Sequence, residues 1–373
     1  MDRYDERDTI FARMNYEVDS PEYCDYYSRH PELKEVDDEL RSKPDLCDAS
    51  SPSYDPIEAS EIRSNFSLIE DLRPLCEGKP SSGKLHVEPS DITDQIKLMA
   101  LDYGADLVGV ARMKPEFYYS HRGRHREHYG DEIGDLLPYG IVFAVEIKKE
   151  MIDTAPAMTA MVESSRTYLK AATIGLSLSY FIRSLGYSAR NHMDGNYLSV
   201  LPLVASAAGI GVFGRHGLLI SDRFGPRIKL GLVTTDMPLT GSRSVNVDLE
   251  RFCSNCGACS RECPASAISG NGQEIVNGTS RWRIDHELCY SYWRSNGTDC
   301  GICMKVCPFS RGIGFSQFIN NRDKIIGTDS VFLRVVSRSD ASQKEPSSEK
   351  SGRAVQRRSV DPSLGRAKPE VRG

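Results

Sequence analysis

The stretch Cys253-Ser-Asn-Cys256-Gly-Ala-Cys259-Ser-Arg-Glu-Cys263-Pro264 decides how this chain is read. Its spacing, C-x2-C-x2-C-x3-C-P, is that of bacterial iron–sulfur proteins, in which three thiolates wrap one cubane and the fourth ligates a second cluster. A second run is therefore required. It follows as Cys289, ten intervening residues, and Cys300-Gly-Ile-Cys303-Met-Lys-Val-Cys307-Pro308. The crossing rule assigns one [4Fe-4S] cluster to Cys253, Cys256, Cys259 and Cys307, and the other to Cys289, Cys300, Cys303 and Cys263. Paired structural zinc sites are the alternative, but zinc ribbons rarely place a fourth cysteine three residues on and before proline. The insert Tyr290-Ser-Tyr-Trp-Arg-Ser-Asn-Gly-Thr-Asp299 carries aromatics and an arginine suited to packing on a neighbouring segment.

Outward from this module, the 373 residues allow one large domain or two ordinary ones. No stretch approaches the ~20 apolar residues of a membrane-spanning helix. The first residues lack the basic start and apolar run of a secretory signal, so a cytoplasmic protein is expected. Thiols stay reduced there, which disfavours a disulfide framework for the eleven cysteines. A net charge of -5 argues against a nucleic-acid partner, because phosphate binding needs a concentrated basic surface. Residues 1–80 carry a large excess of Asp and Glu without a sustained apolar period, and are expected to form a largely extended acidic arm. Tyr4, Tyr16, Tyr23, Tyr26, Tyr27 and Tyr54 are available to lay it over a globular surface. Residues 338–373, rich in Ser, Arg, Lys and Pro, read as a disordered tail.

Between these ends the pattern alternates between helix and strand. Ile92, Ile96, Met99, Ala100 and Tyr103 recur at helical spacing before Gly104, and Leu107–Val110 and Gly140–Val145 read as buried strands. A long helix is predicted from about Ala157 to Leu185, then strands at Tyr187–Arg190, Gly217–Ile220 and Arg227–Thr234. Residues 88–245 therefore read as an α/β domain and residues 246–325 as an α+β, ferredoxin-like two-cluster module. Gly209-Ile-Gly211-Val-Phe-Gly214 matches the dinucleotide-binding string, but a helix-like segment precedes it and a strand follows, the reverse of what that loop needs. A tight, close-packed turn is the better reading. The segment His121-Arg-Gly-Arg-His-Arg-Glu-His128 reads as a solvated loop rather than a metal site.

Clusters only carry electrons, so the α/β domain must hold an acceptor. The strings Gly186-Tyr-Ser-Ala-Arg-Asn-His-Met-Asp-Gly-Asn196, Ala208-Gly-Ile-Gly-Val-Phe-Gly-Arg-His-Gly-Leu-Leu-Ile220, Phe224-Gly-Pro-Arg227 and Val233-Thr-Thr-Asp236-Met-Pro238 resemble the corrinoid-dependent reductive dehalogenases, as does the cysteine pattern with its wide gap. The resemblance covers about residues 88–320. It implies a nitroreductase-like core holding cobalamin, with Co(I) fed by the two clusters to cleave a carbon–halogen bond and a tyrosine protonating the carbon. By position, Tyr168 resembles that acid, with Arg227 as the assisting cation and Lys229 in reserve. A phenol is a weak acid, and a cation that stabilises its phenolate makes it more usable. The resemblance further implies cofactor-binding roles for His192, Asp194, Asn196, Gly209, Gly211 and Arg294. An organohalide substrate and an external low-potential donor, a ferredoxin or flavodoxin, complete the expectation. Two rivals stand beside it. One is an epoxyqueuosine reductase-like tRNA-modification enzyme, which would want a basic face around its pocket; the other is an iron–sulfur electron-transfer protein without a substrate.

Overall fold

The computed structural model describes residues 3–276, 279–315 and 317. Three helices precede the core: α1 (Pro21–Arg29), α2 (Lys34–Ser42) and α3 (Pro56–Leu72). Then come α4 (Pro89–Asp102), β1 (Leu107–Arg112), β2 (Tyr139–Glu146), α5 (Met158–Ser184), β3 (Ala189–His192), α6 (Leu201–Ala207), β4 (Val212–Phe213), β5 (Leu219–Ile220) and β6 (Ile228–Thr235). The main sheet runs in the order β1-β2-β6-β3, and every neighbouring pair is antiparallel. β4 and β5 form a separate hairpin.

The apolar run of β2 follows from cover on both faces. Successive strand side chains point to opposite sides, so Ile141, Phe143 and Val145 join a core with Ile174, Leu178 and Ile182 of α5 and Ile96 of α4. Val142 and Ala144 face the other way, onto Leu201, Val204 and Ala205 of α6. α5 ends where Gly186 adopts φ +85°, a conformation that favours glycine. The Gly209–Gly214 string follows α6 and includes β4 of the hairpin, so it does not lie between a strand and a helix. A side chain at Gly209 or Gly211 would come within 2.2 Å of the Arg243 or Ile220 carbonyl oxygen, so close backbone approach accounts for both glycines.

The N-terminal arm departs from the extended reading. Ser20 and Asp55 accept hydrogen bonds from the first turns of α1 and α3, each followed by proline at the first helical position. Ala12, Tyr16, Tyr23, Tyr26 and Tyr27 form a buried cluster, with the Tyr23 and Tyr27 rings edge-on at 4.6 Å. The acidic residues are what make this core possible. The Tyr27 hydroxyl donates to fully buried Asp37 at 2.7 Å, and the Tyr23 hydroxyl to Asp38 at 2.8 Å. Arg13 lies 3.4 Å from Asp37, and Arg41 donates to the Tyr27 hydroxyl at 2.9 Å. Buried polar groups are stable when so paired. Farther along, Ile62 and Ile69 of α3 are buried with Met158, Met161 and Leu176 of α5, and buried Cys47 and Cys76 fill the same packing. The tail assigned to 338–373 lies outside the described residues.

The cysteine module contains α7 (Glu250–Cys256), the hairpin β7–β8 (Glu274–Val276 and Thr279–Arg281) and α8 (His286–Asn296). One-turn helices at Ala258–Arg261 and Ile302–Lys305 follow left-handed Gly257 and Gly301. Phe252, Trp282, Phe309 and Phe315 share an apolar cluster with Ile220 of β5, which fastens the module to the α/β core.

Candidate functional site

Cys253, Cys256, Cys259 and Cys307 line one cavity at the junction of α7 and Pro308-Phe309, together with Arg215 and His216. This is the quartet expected from the spacing. The remaining four are also neighbours: the Cys289 thiol feels Cys300 and Cys263, and Cys303 feels Cys300, Cys289 and Cys263. Burial and mutual repulsion push the thiols up, to about 12 at Cys253 and about 11 at Cys259, Cys289 and Cys300. Iron reverses this by stabilising the thiolates. The Ala267 N–H donates to Cys263 Sγ at 3.4 Å. Among the described residues no three His, Cys, Asp or Glu side chains converge tightly enough for a single ion. Four thiols around a cavity are a donor set that fits a multi-iron cluster.

On the other side of the junction, Tyr168 stands on α5 with its ring against Phe66 at 5.6 Å between centroids. Lys229 of β6 sets its Nζ 3.4 Å from the centre of the Tyr168 ring and 3.5 Å from Ser164 Oγ, one helical turn before the tyrosine. Arg227, the first-choice cation, is engaged elsewhere. Its Nη1 meets Glu146 at 2.8 Å and the Ile147 carbonyl at 2.6 Å, and its Nε donates to the Ser310 carbonyl at 3.0 Å. Alternation along the strand would put positions 227 and 229 on one side, but Arg227 precedes β6, which begins at Ile228. The reserve cation is the one beside the phenol.

Beyond Tyr168 lies a desolvated group that sequence reasoning did not single out. Burial drives the Tyr197 phenol far above its ordinary range, with Tyr168, Asp194, Arg124 and Tyr119 as its charged or titratable neighbours. Yet the Tyr197 and Tyr119 side chains are only partly covered by protein. Both keep part of their surface uncovered while they pack against the α/β core. Partly open Leu203, Ile228 and Leu230 pack with them. Arg124 pairs with Asp194 at 3.0 Å, lies over the Phe11 ring at 5.7 Å, and keeps its Nε buried without a hydrogen-bond partner. Phe11 in turn touches Tyr290 and Trp293 of the cysteine insert, each at 6.0 Å between centroids. The insert does pack on a neighbour, and that neighbour is the N-terminal arm. Partly open aromatic rings, aliphatic side chains and an orphaned donor are groups that suit a bulky, mostly apolar cofactor with polar edges.

Residues 252–310 match the model of the 4Fe-4S dicluster domain. The chain is 32% identical over 259 residues to the tetrachloroethene reductive dehalogenase of Sulfurospirillum multivorans, a match covering 60% of this chain and 51% of that protein. Its fold is similar to that of the catabolic reductive dehalogenase NpRdhA solved with 3-bromo-4-hydroxybenzoic acid, with a TM-score of 0.68 at 25% identity over 92% of this chain and 46% of that one. This chain is similar to reductive dehalogenases. It spans about half the length of the relatives it matches. The epoxyqueuosine reductase of Aliivibrio fischeri is also similar, at 28% identity over 49% of each chain.

The other residues expected to hold a cofactor make contacts within the protein. His192 is buried, accepts from the Leu198 N–H at Nδ1 and meets Thr234 Oγ1 at 3.0 Å through Nε2; burial keeps its imidazole well below the usual range, hence neutral. Asn196 accepts from Arg122 and donates to the Asn191 carbonyl, both at 3.1 Å. Asp194 borders the pocket through Arg124. Arg294 turns away from the pocket: it donates to the Pro44 and Lys43 carbonyls and pairs with Asp45 at 2.9 Å, which clamps the arm onto α8. Tyr119 and Tyr197 are isolated residues whose surroundings depend on long-range neighbours, and Arg124 lies in the segment read as a solvated loop, which is instead turned inward there by the ion pair with Asp194.

Proposed function

We propose that this chain is the cobalamin-binding and electron-transfer part of a reductive dehalogenase, converting an organohalide, two electrons and a proton into the protonated product and halide. The observation that carries this reading is Lys229 set over the Tyr168 ring, with the desolvated Tyr197 phenol as a neighbour of that tyrosine. When bound there, a corrinoid supplies the two-electron chemistry that breaks the carbon–halogen bond. Tyr119, Tyr197, Leu203 and Leu230 are the side chains that would hold it. Tyr168 would deliver the proton from its hydroxyl, and the Lys229 ammonium would stabilise the phenolate left behind, because a cation over an aromatic face favours negative charge on the ring. Apolar walls exclude water, so the proton comes from the phenol. Electrons would enter through the two clusters from an external ferredoxin or flavodoxin.

The proposal extends to a nitroreductase-like description of the α/β core, which the sheet flanked by α5 and α6 supports. It extends also to a cytoplasmic location without a nucleic-acid partner. Among the described residues no helix is long and apolar enough to cross a membrane.

The test is anaerobic reconstitution with cobalamin, metal analysis, and halide release driven by reduced viologen. Cobalt with about eight irons, the content of two cubanes, together with halide release supports the reading. Bound iron with no corrinoid uptake moves it to an electron-transfer protein, and corrinoid uptake without halide release across several organohalide classes moves it to the tRNA-modifying alternative.

A further inference from the structure

The cavity ringed by Cys253, Cys256, Cys259 and Cys307 contains side-chain N–H donors from two residues, Arg215 and His216. Arg215 has its donors directed at main-chain carbonyls. Its Nε meets the Cys253 oxygen at 3.0 Å, Nη1 the Ser269 and Asn271 oxygens at 2.7 and 3.0 Å, and Nη2 the Ser254 oxygen at 3.4 Å. His216 differs. It is 6% exposed, and its Nε2 is buried without a hydrogen-bond partner. Its tautomer follows from the other nitrogen: Nδ1 lies 3.1 Å from the Leu218 N–H and accepts from it, so the ring proton must reside on Nε2. A protonated, desolvated and unpaired Nε2 on the wall of a four-thiolate cavity is a costly arrangement unless an acceptor occupies that cavity.

We propose that His216 Nε2 donates a hydrogen bond to a sulfur of the cluster held by Cys253, Cys256, Cys259 and Cys307, and thereby raises that cluster's reduction potential relative to its neighbour's. This inference rests on the cluster assignment and not on the dehalogenase activity. The reduced cluster carries one more negative charge, so a fixed donor stabilises the reduced form preferentially. Immediately before β5, the Gly214–Leu218 turn holds the ring in place, with the Gly214 N–H donating to the Leu218 carbonyl at 3.0 Å. His216 is therefore a positioning and tuning residue for electron entry and not a catalytic one.

The experiment compares wild type, His216→Leu and His216→Gln in the full chain, reconstituted with iron and sulfide, by EPR-monitored redox titration. Iron content and circular dichroism serve as folding controls. In His216→Leu the potential of one cluster should fall by the equivalent of a tenfold or greater change in its reduction constant, about 59 mV for a one-electron couple, while the other cluster stays within experimental error. Gln presents an amide donor near the Nε2 position, so His216→Gln should recover most of the shift. Electron–nuclear double resonance of the reduced wild type should show an exchangeable proton coupling that His216→Gln keeps in altered form. An unchanged potential in His216→Leu overturns the proposal. A rise does so too, because it means that water entering a loosened cavity governs the potential. Should His216→Leu fail to retain iron, the wild-type exchangeable coupling decides: its absence overturns the proposal.

Discussion

The cysteine module and the N-terminal arm look alike by composition, each polar, short of apolar periodicity and dependent on something other than a large core. They differ in what replaces that core. In the module, eight cysteines at set spacing specify two cluster sites whose geometry is local to a few turns. In the arm, a tyrosine cluster is held by carboxylates and guanidinium groups that come from separate helices, with Tyr27, Asp37, Arg13 and Arg41 joined in one buried network. An acidic, Pro-rich stretch is therefore not by itself evidence of an unfolded segment. What decides is whether each carboxylate has a donor, and the donors here are tyrosine hydroxyls and arginines close in space.

The largest effect expected from breaking the contrast is at the clusters. Cys256→Ser should lose one cluster and Cys303→Ser the other, each with roughly half the iron and visible absorbance, and with loss of order in the module, because ligand binding and folding are linked there. Losing both clusters from either change would show that the two sites do not fold separately.

Next is the pair of cations, Arg227 and Lys229. Tyr168→Phe keeps the ring packed on Phe66 and removes only the hydroxyl, so turnover should fall by roughly 10²–10⁴-fold with little change in stability. Lys229→Ala should act in the same direction. Arg227→Ala, by contrast, removes hydrogen bonds to Glu146 and to the Ile147 and Ser310 carbonyls, and should destabilise by about 2 kcal/mol while folded protein keeps its turnover. Thermal melts and per-cobalt rates on the three variants check this, and a rate loss in Arg227→Ala without destabilisation would return that residue to the acid's side.

A smaller effect is expected where the arm meets the module. Arg294→Ala should release residues 43–45 from α8, seen as faster proteolysis within the arm while cluster content stays unchanged. The smallest lies inside the arm. Tyr27→Phe leaves Asp37 and Arg41 each short of a partner and should cost about 1–2 kcal/mol in chemical denaturation. An arm that is merely draped would show neither change.

The sequence alone pointed to the cluster ligands and to the main helices and strands between residues 88 and 235, because ligand spacing and apolar periodicity are short-range codes, whereas the helices of the arm were not legible. β2 was legible as a strand, though its cover on both faces was not, and the Gly209–Gly214 string was legible as something other than a dinucleotide loop, from the elements on either side of it. The tertiary structure alone decided which cation stands beside Tyr168, that Arg294 holds the arm, that Tyr119, Arg124 and Tyr197 are neighbours, and that His216 leaves a donor facing the cluster cavity. Each of these depends on side chains far apart in the chain. Arg227 and Lys229 differ by two positions and have the same charge, and only the location of Glu146, Ser310 and Tyr168 in space tells a structural clamp from a partner of the phenol.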